Sequence, residues 1–325
     1  MVRRALYTHN QHLQFGYISE TEEYIPQGLF YVSSGDTDKP CMSPLFESMR
    51  AAKLIAERYS SETLWLCLSG GVDSECMALS FLYAGVPFKV AICRFPENLN
   101  AFDIQYALSF CRKHSLDYQI FDLDILQFYQ SEKHIDLCRQ YRCNSPQLTA
   151  HIEFLKMIPG VPICPWGPPE VRISPSGQLG LSMPTDRYFA FDRYFEDSGH
   201  EGVYFFFLYT PELIKAFINL PVYLDCFSLD FDLTWLNRNH QKYAFKVQVF
   251  SEAGFLFTPR PDKWTGFEEI KQYFARKHNC WDRPIYEELF RRPLQDIYPD
   301  PSDVIVGLPV GFAPYLTANE AVSDD

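Results

Sequence analysis

The chain has 325 residues, enough for one large domain or two modest ones with an ample core, and a formal net charge of −12 that argues against a protein built mainly to grip nucleic acid. No apolar run reaches the roughly 18–20 residues of a membrane helix, and the opening Met1-Val2-Arg3-Arg4-Ala5-Leu6-Tyr7 lacks the apolar core of a signal peptide. The ten cysteines are scattered without a Cys-x-x-Cys pair, which predicts a reduced, cytoplasmic protein with cysteines in its core.

Residues 1–44 read as a small β-rich appendage, with strands over Gln14–Ile18 and Gly28–Ser33 around an acidic stretch. Leu45, Met49, Ala52 and Ala56 recur at helical spacing, predicting a helix over Leu45–Tyr59. Thr63–Leu68 is apolar on both faces, as suits a strand in the middle of a parallel sheet. A helix over Glu75–Tyr83 follows, ended by Gly85 and Pro87. The pattern then alternates: strand Phe88–Phe95, helix Ala101–His114 capped by Asn98 or Asn100, strand Tyr118–Leu123, one long helix Ile125–Tyr141, a helix opened by Ser145-Pro146, and strand Val161–Pro165. Such alternation predicts right-handed βαβ units: an α/β fold, mainly parallel, with helices on both faces.

The second half changes character. Cys164–Pro169 and Ile173–Pro184 read as Pro-rich loops and Gly202–Tyr209 as an aromatic strand. Helices are predicted over Glu212–Leu220, Asn239–Glu252, Gly266–Lys277 and Pro284–Phe290, and a disordered acidic tail over 317–325. The expected organisation is thus an appendage (1–44), an α/β domain (45–170), a largely helical region packed on it (171–316) and the tail.

Between the central strand and its helix stands Ser69-Gly70-Gly71-Val72-Asp73-Ser74. Its glycines let another group approach the main chain, and the turn presents amides at a helix N-terminus, where the dipole favours an anion. Ser69, Gly70, Gly71, Val72 and Ser74 are therefore phosphate-binding candidates, and Asp73 a candidate ligand for Mg²⁺. In an open sheet of this kind the loop lies where ligands sit, beyond the carboxyl ends of the strands. An ordinary packing corner is the alternative for a lone Gly-Gly.

All six positions, in this strand–loop–helix setting, resemble the pyrophosphate-binding loop of the ATP pyrophosphatases. No Gly-Lys-Ser/Thr follows, so it is not a Walker loop. The resemblance implies the adenine-nucleotide alpha-hydrolase (HUP) type of α/β fold, ATP and Mg²⁺ as cofactors, and a strand end at Ile92–Arg94 facing adenine, with Arg94 as a further phosphate partner. Within that group the chain is most similar to the synthetase domain of asparagine synthetases and their relatives. Thr210–Pro221 resembles a late helix of that domain, and Thr258-Pro259-Arg260-Pro261-Asp262-Lys263-Trp264-Thr265-Gly266-Phe267 resembles its Arg-Pro-Lys-x-Gly-Phe segment with two extra residues. The resemblance makes Lys263 a catalytic candidate, supported by Arg260; a surface cation ahead of a helix is the other reading.

The departures bear on the substrate. Met1-Val2 supplies no Cys nucleophile and no glutaminase domain is expected. Where that family carries an acidic Gly-rich segment, this chain has Pro165-Trp166-Gly167-Pro168-Pro169-Glu170; Gly167 is left to offer an amide to a phosphate and Glu170 to act on an incoming amine. The expected activity is ATP-dependent adenylation of a small-molecule oxygen, release of pyrophosphate, and transfer of an amine or ammonia, free or from a separate donor protein. Sulfur transfer or sulfonucleotide reduction, resting on Cys280 or on Cys138, Cys143 and Cys164, is one alternative. A nucleotide-binding protein without turnover is the other.

Overall fold

The computed structural model describes residues 2–8, 13–19, 29–35, 37–173, 179–184, 186–225, 239–260, 265–279 and 304–307. The expected helix at 284–290, the tail, Cys280 and Lys263 lie outside them.

The chain opens with strands β1 (Val2–Thr8), β2 (Leu13–Ser19) and β3 (Leu29–Ser34), an antiparallel sheet in that order. The two expected strands are present and β1 adds a third. Leu13 and Phe15, two residues apart on β2, point to one face and are completely buried. Phe15 stacks on Phe189 with ring centroids 3.9 Å apart, which ties this sheet to the body of the protein.

Helix α1 (Pro44–Arg58) buries Ser48, Ala51, Ala52 and Ile55, a stripe at helical spacing. The chain then enters β4 (Leu64–Cys67), buried at every position. Next come α2 (Val72–Ala84), β5 (Lys89–Arg94), α3 (Ala101–Lys113) and β6 (Tyr118–Asp122). The single long helix expected over Ile125–Tyr141 is two, α4 (Ile125–Gln130) and α5 (Lys133–Tyr141). Glu132 between them adopts a left-handed backbone with φ 58°, which no helix can carry through. Helix α6 (Pro146–Leu155) begins at Ser145, whose hydroxyl accepts from the Leu148 amide, and leads into β7 (Val161–Ile163).

β4–β7 form one parallel sheet in the order β6-β5-β4-β7. Chain order therefore runs outward from β4 to β6 and then returns to the other side of β4. Right-handed crossovers put α2 and α3 on one face and α4–α6 on the other, and open a crevice between the carboxyl ends of β4 and β7. The α/β class with helices on both faces is the one expected from the sequence.

The second half holds two corrections. Ile173–Pro184 is not a loop throughout: β8 (Glu170–Ile173), β9 (Leu179–Met183) and the late β10 (Val304–Gly307) make an antiparallel sheet in the order β10-β9-β8. Conversely, the aromatic run Gly202–Tyr209 is not a strand. Val203 alone bridges to Ile163, and Phe206–Leu208 turns as a short 3₁₀ helix. Its phenylalanines are core filling: Phe205, Phe206 and Phe207 are wholly buried, with Phe206 against Phe81 and Phe207 against Phe217 and Phe250. Burying a phenylalanine stabilises by about 1.5–3 kcal/mol, so these rings explain why the two halves share one core.

Helices α7 (Ala190–Ser198), α8 (Pro211–Ile218), α9 (Pro221–Asp225), α10 (Asn239–Glu252) and α11 (Gly266–Lys277) complete the described chain. Thr210 caps α8, accepting from the Leu213 amide, and Thr265 with Glu268 forms a capping box on α11. Among the described residues no helix is long and apolar enough to cross a membrane.

Candidate functional site

The loop after β4 turns sharply because Gly70 takes φ +73°. A Cβ there would lie 2.4 Å from the Asp103 carbonyl oxygen and 2.9 Å from the Ala107 nitrogen, so the position requires glycine for space as well as conformation. Gly71 is the N-cap of α2, and Val72, Asp73 and Ser74 form its first turn. The hydroxyls are turned into the loop: Ser74 Oγ donates to the Gly71 carbonyl at 2.8 Å and lies 3.3 Å from Ser69 Oγ. The loop thus keeps its shape through its own side chains, with its helix terminus facing the crevice.

A cavity of about 530 Å³ opens there, lined from three sides. Ser69 and Asp73 come from the loop, Ile92, Cys93 and Phe95 from the end of β5, and Trp166, Gly167 and Glu170 from the segment after β7. Asn100, at the N-cap of α3, does not cap with its side chain. It accepts from the Phe95 amide and donates to the Cys93 carbonyl, which fixes the cavity wall beyond β5.

Of the residues singled out in the sequence, the fold brings Ser69, Asp73, Ile92, Gly167 and Glu170 to this one cavity. Gly70, Gly71, Val72 and Ser74 shape the loop beside it. Arg94 is elsewhere: its guanidinium holds both carboxylate oxygens of Asp122, with Nη2 to Oδ2 at 2.7 Å, in an exposed pair across β5 and β6 that does not line the cavity. Arg260 reaches the loop by an unexpected route. Its Nε donates to the Gly70 carbonyl, Nη2 to the Ser69 carbonyl at 3.0 Å and Nη1 to Asp103 Oδ1 at 2.8 Å, and it lies over the Tyr106 ring. Only 8% of it is exposed, and its donors face backbone and Asp103, so it clamps the loop. Asp103 Oδ2 in turn accepts from the Gly266 amide, fastening the start of α11 to α3.

Sequence reasoning missed Lys246, 173 positions along the chain from Asp73. Its Nζ donates to Asp73 Oδ2 at 2.7 Å, with 23% and 26% of the two side chains exposed. Burial opposes the charged ammonium, but the charge and hydrogen bond of Asp73, helped by Glu170, outweigh it and hold Lys246 above its ordinary range. A signal was present: Lys246 stands on the stripe of α10 that buries Val249 and Phe250, where a lysine needs a reason. His151 on α6 also lines the cavity, edge-on to Phe267, and burial lowers it to about 4.

The other oxygen of Asp73, Oδ1, is buried without a hydrogen-bond partner. Among the described residues no group of three or more His, Cys, Asp or Glu could hold a metal alone. A single orphaned carboxylate oxygen in the first turn of α2 suits Mg²⁺, an ion that takes few protein ligands and keeps most of its shell in water and phosphate oxygens. The residues present fit that ion.

No protein-family model and no curated protein matches the chain. Among solved structures it is similar to the NMN synthetase from Francisella tularensis, covering 74% of this chain and 96% of that one at 13% identity and a TM-score of 0.32. It is also similar to the NH3-dependent NAD synthetase from Campylobacter jejuni subsp. jejuni NCTC 11168 in complex with the nitrate ion, covering 82% and 100% at 14% identity and a TM-score of 0.30.

Proposed function

We propose that the protein is an ATP-dependent synthetase that adenylates an oxygen of a small molecule, releases pyrophosphate and passes the activated group to an amine or ammonia. The observation that carries this reading is the Ser69–Ser74 loop, set at the carboxyl end of β4 where the strand order reverses and opening on a cavity of about 530 Å³. In this reading residues 45–170 bind the nucleotide and the C-terminal region closes over it.

The amides at the start of α2 and the hydroxyl of Ser69 hold the departing pyrophosphate, and Ser74 braces the loop that presents them. Ile92 and Cys93 flank the base. Asp73 would hold Mg²⁺, which would supply charge neutralisation along the phosphate chain. Arg260 keeps the Ser69 and Gly70 carbonyls turned away from the phosphates. Gly167 offers its amide to the α-phosphate, and Glu170 takes a proton from the incoming amine. Lys263 stabilises the acyl-adenylate, and the asparagine-synthetase-like likeness of its segment extends the reading to amidation.

Sulfur transfer has three thiols available along the cavity, Cys67, Cys93 and Cys164. Cys67 is held protonated by its hydrogen bond to Cys164 and by burial, and Cys93 is pushed up to about 12 by burial, so neither is a ready thiolate. Adenylation needs no protein nucleophile and is preferred.

The test is pyrophosphate release from ATP with pools of small carboxylates, amides and nucleosides, followed by ATP–pyrophosphate exchange with the responding substrate. Exchange is expected in the wild type and lost in Asp73→Ala and Lys263→Ala. Exchange surviving in both variants rules out these roles.

A further inference from the structure

One cation stands where a soluble protein rarely spends one. Lys246 occupies the buried stripe of α10, and among the described residues lining the cavity it is the single Lys or Arg. Its ammonium spans the crevice: Asp73 of α2 lies on one side at 2.7 Å, and the segment after β7 on the other. A Cβ on Gly167 would come within 2.9 Å of Nζ, so the seat of the ammonium is cut from that segment by the absence of a side chain. Glu170 lines the same cavity.

Among the described residues, the other basic groups nearby are committed elsewhere. Arg260 binds Ser69, Gly70 and Asp103, Arg94 binds Asp122 outside the cavity, and burial keeps His151 neutral at pH 7. Of the described cations, Lys246 is therefore the one that a phosphate chain entering this crevice meets. The ammonium has three donors, of which Asp73 takes one.

We infer that Lys246 is a catalytic residue that contacts the phosphates of the bound nucleotide and stabilises the charge developing between the α-phosphorus and the departing pyrophosphate. This rests on the adenylating reading and adds to it a group that no sequence likeness marked. The acceptor oxygen forms a bond to the α-phosphorus as the bond from that phosphorus to the bridging oxygen breaks, and the bonding pair leaves with pyrophosphate. Lys246 stays protonated throughout and exchanges no proton. Its contact must strengthen as charge moves onto the leaving group, and Asp73 holds it ready at the crevice.

The experiment is calorimetric titration of the full chain with ATP and Mg²⁺, and separately with adenosine, for wild type, Lys246→Gln and Lys246→Arg. Gln keeps a hydrogen bond to Asp73 without the charge, and Arg keeps the charge. Lys246→Gln is expected to weaken ATP by about tenfold or more, the scale of one charge-assisted hydrogen bond, to leave adenosine within about twofold, and to be partly rescued by Arg. A second measurement needs no variant: acetylation of Lys246 in the wild type, followed by mass spectrometry, should be slowed by inorganic pyrophosphate with Mg²⁺ and not by adenosine. Unchanged ATP affinity in Lys246→Gln, parallel loss of ATP and adenosine, or no protection by pyrophosphate each overturns the assignment. A wild type that binds no ATP overturns the adenylating reading itself, and this inference with it.

Discussion

Arg260 Nη1 lies 2.8 Å from Asp103 Oδ1, and the same guanidinium holds the carbonyls of Ser69 and Gly70. One buried side chain from the C-terminal half thus sets the backbone of a loop 190 residues before it. The shape of this loop is therefore a property of the whole chain.

Removing that clamp should be costly. Arg260→Met leaves the largely buried Asp103 without its counter-charge, with the Gly266 amide still donating to it, and breaking one partner of a buried pair costs about 3–5 kcal/mol. Arg260→Lys should recover little, because a compact ammonium cannot span the sites that the planar guanidinium fork reaches with Nε, Nη1 and Nη2. Urea denaturation measures the loss, and hydrogen exchange at residues 69–74 should show the loop opening before the sheet does.

The two loop glycines should behave differently. Gly70→Ala forces a side chain into φ +73° and to within 2.4 Å of backbone, and should destabilise by about 2–4 kcal/mol. Gly71→Ala meets only Ser69 Oγ at 3.5 Å and should cost less than about 1 kcal/mol. Equal costs in chemical denaturation would contradict the loop geometry.

His151 makes the cavity sensitive to acid. Its folded value of about 4 lies below the ordinary 6.5, so above pH 6.5 both folded and unfolded chains carry it neutral. As pH falls the unfolded chain takes up the proton first, and stability is lost between about 6.5 and 4. His134, also lowered to about 4 by burial, adds to the same window. Each unit of difference is worth about 1.4 kcal/mol. Stability measured against pH should fall less steeply in His151→Gln than in the wild type; superimposable curves would contradict this.

Arg94 should prove dispensable for nucleotide. Its pair with Asp122 is solvent-exposed, and such pairs contribute little. ATP affinity in Arg94→Ala should stay within about twofold of wild type.

How legible the site was depended on the range over which its causes act. The loop, the fully apolar strand ahead of it and the alternation of strands and helices are local patterns, and Ser69, Asp73, Ile92, Gly167 and Glu170 meet where that topology implies. Lys246 carries no local motif, since its meaning comes from Asp73 across the core. Arg260 was visible as a residue but not as a clamp, because its partners are backbone carbonyls and a helix carboxylate far away in sequence. The aromatic run at Gly202–Tyr209 misled because burial, and not strand pairing, selects its phenylalanines. The break at Glu132 was hidden because both flanking helices share one apolar stripe, with Phe128 and Tyr129 before it and Ile135 and Cys138 after it.

The central claim is that the loop splits ATP between its α- and β-phosphates. The direct measurement is to incubate the protein with ATP, Mg²⁺ and pools of small carboxylates, amides and nucleosides, and to identify the nucleotide products by mass spectrometry. AMP and pyrophosphate in equal amounts, lost in Asp73→Ala, are predicted. ADP and phosphate, or ATP consumed unchanged by that substitution, would contradict the account.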